Sequence, residues 1–254
     1  MKKILLCLIC LLLVTGCAKK DIDPYAAYRA KTGNELFNGG EKSLAKKDYS
    51  GAVKQFEALD AMYPFGPYAE QGQLDVIYAY YKNDDQASAV AAADRYIRLY
   101  PRSPHADYAY YMRGMAGYNQ GLSWIQKKVG VDPAPRDLSG MQQSFSSFAT
   151  LVARYPDSRY AHDAVIRMAY IRNLLARREM MVAQFYLDHD VYVAAANRAS
   201  YVVEHFEGSP YVVKALAIMV KAYRALNLPQ LADTTYAILQ ANYPQSAERR
   251  ALKL

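Results

Sequence analysis

The sequence predicts an all-α fold, an α-solenoid of about five helix pairs, from a mark that recurs along the chain. Tyr-Pro is found at positions 63, 100, 155 and 243, and His205-Phe206-Glu207 is a degenerate fifth copy. Twelve, eight and five positions before each proline, or before Glu207, the residues are small, then aromatic or small, then apolar. Small residues let two helices approach closely, and the larger residue fills the gap to the next pair.

The fifteen residues at these three positions belong to five predicted second helices. They are Ala52, Phe56, Leu59, Ala89, Ala93, Tyr96, Ser144, Phe148, Leu151, Ala195, Ala199, Val202, Ala232, Tyr236 and Leu239. This spacing is the second-helix signature of a tetratricopeptide repeat, which ends at a helix-stopping proline. Polar turns at 47–49 and 83–85 precede the first two of these helices. No run of alternating apolar residues indicates a sheet.

The N-terminus predicts a lipoprotein signal peptide over residues 1–16. A basic start is followed by an apolar run over 4–14, which is too short to span a bilayer permanently, and then by Thr-Gly-Cys17. Small residues before a cysteine, with the aliphatic Val14, form a lipobox, so Cys17 becomes the acylated, palmitate-bearing N-terminus. An ordinary signal peptide with an incidental cysteine is the alternative. Ala18 follows instead of Asp, which favours the outer membrane over the inner membrane.

Composition argues against several classes of function. The 31 Lys and Arg residues include two in the signal peptide, which leaves 29 against 24 acidic residues. This scattered excess makes nucleic-acid binding a poor fit. Cys7 and Cys10 leave with the signal peptide and Cys17 is acylated, so no thiol remains for a disulfide, a metal or a nucleophile. No cofactor is predicted, and tyrosine is unusually frequent at 24 residues.

The predicted organisation has four parts. Residues 1–16 are the removed signal, and 17–28 form a polar, lipidated tether. Repeats 1–3 occupy 29–156 and repeats 4–5 occupy 157–254, with a long first helix from Ser158 to about Leu187 in repeat 4. Residues 121–140 interrupt repeat 3 as a loop, and a loop of this size is either functional or disordered.

Tyrosines in the first helices of repeats 2 and 3 predict a groove. When the first helices of repeats 2 and 3 are aligned on their Tyr-Pro marks, three residues of one helix correspond to three of the other. Within each helix these residues are three or four positions apart, so they lie on one face. The aligned residues are Leu74, Tyr78 and Tyr81, opposite Tyr111, Met115 and Tyr118, with Tyr108 one turn earlier. An aromatic groove suits an extended or β-prone peptide. Alternatively, these rings pack between neighbouring helices.

No constellation of catalytic residues is evident. The four histidines are isolated, with no second histidine at metal-ligand spacing. Ser43-Leu44-Ala45-Lys46 matches a serine–lysine pattern of penicillin-binding enzymes but lacks the companion motifs. There is no glycine-rich phosphate loop. The sequence therefore predicts a non-enzymatic protein, with a hydrolase built around Trp124 in the loop as an alternative.

One family shares specific stretches with this chain. They include Tyr-Pro-Phe-Gly-Pro-Tyr at 63–68, Gln73-Leu74-Asp75, residues 77–83, 94–99 and 111–114, Gly130-Val131-Asp132 with Arg136-Asp137, Val193-Ala194 and Asn197-Arg198. With the lipobox and the repeats, these stretches resemble the BamD (ComL) family, the tetratricopeptide lipoproteins of the β-barrel assembly machinery. The resemblance extends from the lipobox to the last Tyr-Pro.

This resemblance implies a location and partners. Members lie on the periplasmic face of the outer membrane, hold the barrel subunit BamA through a POTRA domain, and work with other assembly-machinery lipoproteins. Their N-terminal repeats, here 29–156, engage the C-terminal tails of unfolded outer-membrane proteins, and their C-terminal repeats, here 157–254, hold BamA. Matched residues in the N-terminal recognition region are Tyr63, Phe65, Gly66 and Tyr68, and those in the BamA-facing part are Asn197 and Arg198.

Together with the hydrolase alternative, three hypotheses of function therefore compete. A binding scaffold of the outer-membrane assembly machinery fits the anchor, the repeats and the matched stretches. A peptidoglycan-associated competence lipoprotein, the older ComL-type interpretation, is the alternative, although the modest positive charge gives it little support.

Overall fold

The structure, a computed structural model, describes residues 24–119 and 137–252, and every regular element in these two ranges is helical. The predicted signal peptide, the lipidation site Cys17 and residues 121–136 of the predicted loop lie outside the described residues. The described end of the predicted tether contains one 3-10 turn, Ala26–Tyr28.

Eleven α-helices follow that turn in the described ranges. They are α1 (Gly33–Ala45), α2 (Tyr49–Met62), α3 (Ala69–Lys82), α4 (Gln86–Leu99), α5 (Ala106–Asn119), α6 (Ser139–Arg154), α7 (Ala161–Asp188), α8 (Tyr192–His205), α9 (Val212–Ala225), α10 (Pro229–Asn242) and α11 (Ala247–Ala251). The first ten are five consecutive pairs of the kind that the recurring mark predicts. The predicted all-α fold of about five tetratricopeptide-like helix pairs is thereby confirmed.

The second helix of each pair ends at the predicted mark. Tyr63, Tyr100, Tyr155 and Tyr243 are its C-cap residues, each with φ between −125° and −133° and ψ between 51° and 61°. The following proline disfavours helical dihedrals in the residue before it. Phe206 ends α8 with a φ of −124° and a ψ of 41° although no proline follows. The degenerate mark therefore ends its helix in the same way.

The signature positions form the core of the helix pairs. Fourteen of the fifteen residues are buried, and only Tyr236 is half-buried. Ser144 is the polar residue among them, and its buried Oγ donates a hydrogen bond of 2.7 Å to the carbonyl oxygen of Gly114. A buried hydroxyl costs little when it is bonded in this way. The small residues at these positions permit the close helix contacts that the sequence predicts.

The turns within four pairs share one backbone conformation. Lys47, Asp84, Asp190 and Asn227 all have φ between 58° and 61°, in the left-handed region. Each lies between the first and second helix of its pair. The polar turn predicted at 83–85 is confirmed, whereas the one predicted at 47–49 ends at Asp48 because Tyr49 begins α2. Left-handed dihedrals cost a non-glycine residue free energy, and a lysine side chain has no local hydrogen bond to offset that cost.

Replacement of Lys47 by glycine is expected to raise the free energy of unfolding by about 0.5 kcal/mol. The relief of left-handed strain exceeds the extra backbone entropy that glycine adds to the unfolded chain. Urea denaturation followed by helical circular dichroism measures the change. Lys54→Gly, in the exposed face of α2, is the matched control and should instead lose about 1 kcal/mol. A loss at both positions would contradict the expected strain at Lys47.

The chain divides into two compact units, unit 1 up to Ala69 and unit 2 from Glu70. In unit 1, α1 begins with a capping box, because Thr32 and Glu35 satisfy each other's free backbone donors. Leu36 and Phe56 are buried between α1 and α2. At Gly40, a Cβ atom would lie 2.4 Å from the Phe56 ring, so only glycine permits this approach.

Unit 2 contains nearly all of α3 and the helices that follow it. Its helices pack chiefly against their neighbours along the chain, which is the packing of an α-solenoid. The 28-residue α7 contacts α6, α8 and α9. At the C-terminal end, Leu252 is buried against α9, and Arg224 Nη1 donates to its carbonyl oxygen at 3.1 Å.

Two predicted boundaries differ from the structure. The long helix begins at Ala161, because 158–160 form a turn in which the Ala161 amide donates to the Ser158 carbonyl. The interrupting loop ends before Ser139, whose amide donates to the Asp137 carboxylate as α6 begins. The division into recognition and BamA-binding halves after residue 156 concerns partners and stays a prediction.

Candidate functional site

The predicted recognition residues of unit 1 surround the turn after α2. The Tyr63 hydroxyl donates to the carbonyl oxygen of Lys31 at 2.9 Å, and Tyr68 stacks on Phe37 with ring centroids 5.1 Å apart. Gly66 donates its amide to the Tyr63 carbonyl and closes the turn. Phe65, at the turn, is 98% exposed. Two of these rings therefore fasten the turn, and Phe65 is the ring presented to solvent.

In unit 2, Tyr111 and Tyr118 serve internal packing. The Tyr111 hydroxyl donates to Asp163 Oδ2 at 2.8 Å, across 52 residues of sequence. The Arg167 guanidinium lies 5.3 Å from the centre of the Tyr118 ring and pairs with Asp163. Both rings are half-buried and pack on the cluster around Phe148. These two tyrosines join α5 to α7 and offer only part of their surface to a ligand.

Tyr78 and Tyr81 lie one turn apart in α3 and differ in exposure. Tyr78 is exposed, with Lys82 Nζ 5.9 Å from its ring centre. Tyr81 is half-buried, and its hydroxyl accepts a hydrogen bond of 2.8 Å from Asn119 Nδ2. Of the aligned groove residues, Tyr78 is thus the most accessible.

Leu74 and Tyr108 come together in an open pocket of about 510 Å³ at the N-terminal ends of α3, α5 and α7, which we call the tyrosine pocket. Leu74 is mostly buried and contributes a small apolar area to the wall. The complete lining is Gln71, Leu74, Asp75, Pro104, His105, Asp107, Tyr108, Arg159 and Tyr160. Three helices that are distant in sequence therefore meet around one concave surface with apolar and polar groups.

A ladder of aromatic rings supports this pocket from behind. Tyr160 stacks on Tyr111 with centroids 4.7 Å apart and lies 5.6 Å from Tyr108. Tyr111 continues the ladder to the buried Phe148, at 6.0 Å. The Arg159 guanidinium lies 4.8 Å from the Tyr160 ring centre and donates to its hydroxyl. Packed rings restrain one another, so the pocket wall is preorganised.

The pKa values of Tyr108, Tyr111 and Arg159 are all raised. Burial raises the pKa of Tyr108, with the Tyr160 hydroxyl and Asp75 adding to the effect. Burial and the hydrogen bond to Asp163 raise the pKa of Tyr111 to about 12. The hydrogen bond to Tyr160 raises the pKa of Arg159. The tyrosine pocket thus combines neutral rings and hydroxyls with a permanent cation.

The carboxylates that line the pocket already accept hydrogen bonds. Asp75 accepts from Gln71 Nε2 at 2.9 Å. Asp107 Oδ2 accepts from Ser158 Oγ at 2.7 Å. These bonds hold the acidic groups in the wall, whereas the Arg159 side chain is exposed. Among the charged lining residues, Arg159 is therefore the cation, and Asp75 and Asp107 are the two anions.

His105, Arg159 and Tyr160 were missed by the groove prediction. A periodic signal could have found His105 and Tyr160. The fifth residue after Tyr63, Tyr100, Tyr155 and Phe206 is aromatic in each case. These residues are Tyr68, His105, Tyr160 and Tyr211. Each stands immediately before a first helix, so the signal places one ring at the N-terminal ends of α3, α5, α7 and α9. No comparable signal marks Arg159.

The predicted BamA-facing residues lie on a separate surface of unit 2. Asn197 and Arg198 are exposed on α8 and line a shallow groove of about 370 Å³ with Tyr186, Ala194 and Tyr201. Arg198 Nη1 pairs with Glu179 Oε2 at 3.0 Å, and half of the arginine side chain is exposed. The pairing orients the guanidinium and leaves accessible surface for a partner. The binding roles of all these residues stay predictions.

A metal site and a membrane-spanning helix are both absent from the described residues. Within 24–119 and 137–252, no three His, Cys, Asp or Glu side chains are grouped so that they could hold a metal ion. In the same part of the chain, no helix combines the length and apolar character needed to cross a membrane.

Comparison with known proteins identifies the family. Residues 29–238 match the YfiO family, described as outer membrane lipoprotein. A protein of Neisseria meningitidis serogroup B, named outer membrane protein assembly factor BamD, is 38% identical over 248 residues, or 97% of this chain and 93% of that protein. Proteins with the same name from Pasteurella multocida and Xylella fastidiosa are each 37% identical, over 90% and 92% of this chain and 86% and 79% of their own lengths. The resemblance noted in the sequence is confirmed, and the chain belongs to the YfiO family of outer membrane lipoproteins, which includes these BamD proteins.

Proposed function

We propose that this chain is a non-enzymatic scaffold for assembling outer-membrane proteins. In this proposal it binds the C-terminal tails of unfolded outer-membrane proteins and holds BamA, so that clients are delivered for folding and insertion. The name shared by its relatives, outer membrane protein assembly factor, supports the general role. The proposed finer roles are assigned to two surfaces of unit 2, with a supporting role for Phe65 in unit 1.

The tyrosine pocket is the observation that most supports client binding. Its rings offer flat apolar area with hydroxyl groups, which suits an aromatic or aliphatic side chain of a peptide. Arg159 supplies a cation that suits the terminal carboxylate, since charge-assisted hydrogen bonds to carboxylates are strong. A preformed concave surface with a few polar groups is the usual form of a ligand site. We assign the last residue of the client tail to this pocket.

Phe65 in unit 1 is assigned a supporting role in client recognition. An almost fully exposed phenylalanine on a turn that Tyr63 and Tyr68 hold in place is a preorganised apolar contact. Single exposed apolar residues are common, so this assignment rests on the family resemblance as well as on exposure.

BamA is assigned to the groove around Arg198. Arginine and tyrosine are enriched at the energetically important positions of protein interfaces, and this groove contains Arg198 with Tyr186 and Tyr201. The permanent charge of arginine suits an acidic residue on the POTRA domain. Because this surface is lined from α7 and α8 and the tyrosine pocket lies at the start of α7, both partners fit unit 2 at the same time.

Acylation of Cys17 completes the proposed mechanism. Two or three acyl chains give stable membrane anchoring, where one chain gives marginal binding. Anchoring on the periplasmic face of the outer membrane raises the effective concentration of the scaffold near BamA without new contacts.

A peptide with a modified C-terminus tests the tyrosine pocket. We expect an eight-residue peptide ending in a free aromatic residue to bind about tenfold or more tightly than the same peptide with a C-terminal amide. Arg159→Gln should weaken binding of the free-acid peptide by a similar factor and leave the amidated peptide unaffected. Fluorescence anisotropy measures both dissociation constants.

Controls separate recognition from folding. Arg250→Gln replaces an exposed arginine of α11, which lines neither proposed surface, and should leave both affinities unchanged. Tyr108→Ala should weaken both peptides while the helical circular dichroism signal stays close to that of the unmodified chain. Equal affinity for the free and amidated peptides would remove Arg159 from the proposed site.

A further inference from the structure

The long helix α7 exposes apolar residues along one face. Ile166, Tyr170, Met181 and Phe185 are 57%, 47%, 44% and 57% exposed. With Arg177 they are spaced by four, seven, four and four residues, which keeps them on one side of a helix with 3.6 residues per turn. We call these five residues the α7 stripe. Arg177 separates two exposed apolar pairs, Ile166 with Tyr170 and Met181 with Phe185. Exposed apolar clusters often mark interaction sites.

The stripe ends in a second groove of unit 2, of about 430 Å³, between the C-terminal half of α7 and the start of α9. Its apolar walls come from Met180, Met181, Phe185 and Tyr211, so we call it the methionine pocket. Methionine side chains adapt to different shapes, which suits a surface that must accept varied sequences. Tyr211 directly precedes the first helix of its repeat, as Tyr160 of the tyrosine pocket does in the repeat before it.

We propose that the methionine pocket is a second subsite for the client, and that it binds a segment about ten residues before the tail seated in the tyrosine pocket. This inference rests on the proposed function, because it takes the tyrosine pocket as the site of the tail. In this arrangement the α7 stripe is the floor along which one extended client segment lies.

The dimensions of α7 fit such a segment. Tyr160 at the tyrosine pocket and Met181 at the methionine pocket are 21 residues apart, and a rise of about 1.5 Å per residue separates them by about 32 Å. An extended strand advances about 3.3 Å per residue, so about ten residues cover this distance. Strands destined for a membrane barrel are about this long. Ile166 and Tyr170 then contact the side chains between the two pockets.

The position of the stripe argues for the client over BamA as its occupant. Glu179, which pairs with Arg198, and Tyr186, in the groove proposed for BamA, lie on the opposite side of α7 from Met181. One helix therefore separates two surfaces. A partner held at Arg198 leaves the stripe accessible.

Charge adds a preference within the client segment. Arg177 and Lys214 line the methionine pocket, against one carboxylate, Asp188. This balance favours a client residue that is acidic. The site therefore combines an adaptable apolar surface with a weak preference for negative charge.

Peptides of two lengths test the inference on the full mature chain in detergent. A six-residue tail peptide fills only the tyrosine pocket, whereas a sixteen-residue peptide adds ten upstream residues with alternating apolar side chains and one glutamate. We expect the longer peptide to bind about tenfold or more tightly, because the second contact becomes intramolecular. Met181→Ser with Phe185→Ser should abolish this gain and leave the six-residue peptide unaffected.

Leu231→Ser with Ile238→Ser is the matched control, since these two residues of α10 are also about half exposed. It should leave both affinities unchanged. Equal affinity for the two peptides would overturn the second subsite and leave the proposed function standing. Failure of both peptides to bind would overturn both proposals. Weaker BamA binding by the stripe variant, with an unchanged affinity for the long peptide, would assign the methionine pocket to BamA instead.

Discussion

Phe148→Ala is expected to lower the free energy of unfolding by about 3–5 kcal/mol, the usual loss for removing a buried phenylalanine ring. The ring is fully buried in α6 and packs with Leu151 and Ile171. Gly114 in α5 lies directly against it, because a Cβ atom there would be 2.4 Å from the ring. Phe148 therefore fills the junction of α5, α6 and α7, where no small movement can close the cavity.

Urea denaturation followed by circular dichroism measures this loss. Phe65→Ala is the matched control, because it deletes the same ring from an exposed turn and should change stability by no more than about 0.5 kcal/mol. Truncation of Phe148 also removes a ring on which Tyr111 packs. Under the proposed function, the variant that remains folded should therefore bind the client tail peptide more weakly. A loss below about 1 kcal/mol would contradict the packing at this junction.

Arg198→Glu is expected to weaken binding of the periplasmic domain of BamA by about 30-fold, or about 2 kcal/mol, under the proposed function. The variant reverses the charge offered to the partner. It also places a carboxylate beside Glu179, which in the unsubstituted chain pairs with Arg198 at 3.0 Å. Stability should also fall, by about 1–3 kcal/mol, because Glu179, whose side chain is 19% exposed, loses its partner and meets a like charge. Isothermal titration and thermal unfolding separate the two effects.

A charge swap distinguishes partner recognition from the internal ion pair. Arg198→Glu combined with Glu179→Arg recreates the internal pair and should restore the thermal stability, while the affinity for BamA stays low. Lys221→Glu, an exposed reversal on α9, should leave the affinity unchanged. An unaltered dissociation constant in the Arg198 variant would remove this residue from the partner surface.

Some residues of the candidate site follow from the sequence and others do not. Leu74 and Tyr108 were found because helical spacing puts them on the face that lines the tyrosine pocket. Tyr111 has the same spacing, yet its hydroxyl is used by Asp163 and its ring by Phe148. Periodicity identifies the side of a helix but not which part of that side a neighbouring helix covers. Arg159 lies in a turn, where no periodicity applies.

The sequence by itself determined the helix pairs of this protein. Tyr-Pro ends a helix wherever it occurs, because proline acts on the residue directly before it. Alanine and serine at fixed spacing permit close helix contacts in every repeat, so burial of Ala89, Ser144 and Ala195 follows from local pattern. The family also follows from sequence, through stretches that match along most of the chain.

Only the tertiary structure decided which side chains meet. Gln71, Tyr108 and Arg159 share one pocket because α3, α5 and α7 converge at their N-terminal ends, which depends on how successive pairs stack. Which residues of α7 stay exposed depends on how α6, α8 and α9 cover that helix. Contacts of this kind depend on distances between residues that are remote in sequence, and no local pattern records them.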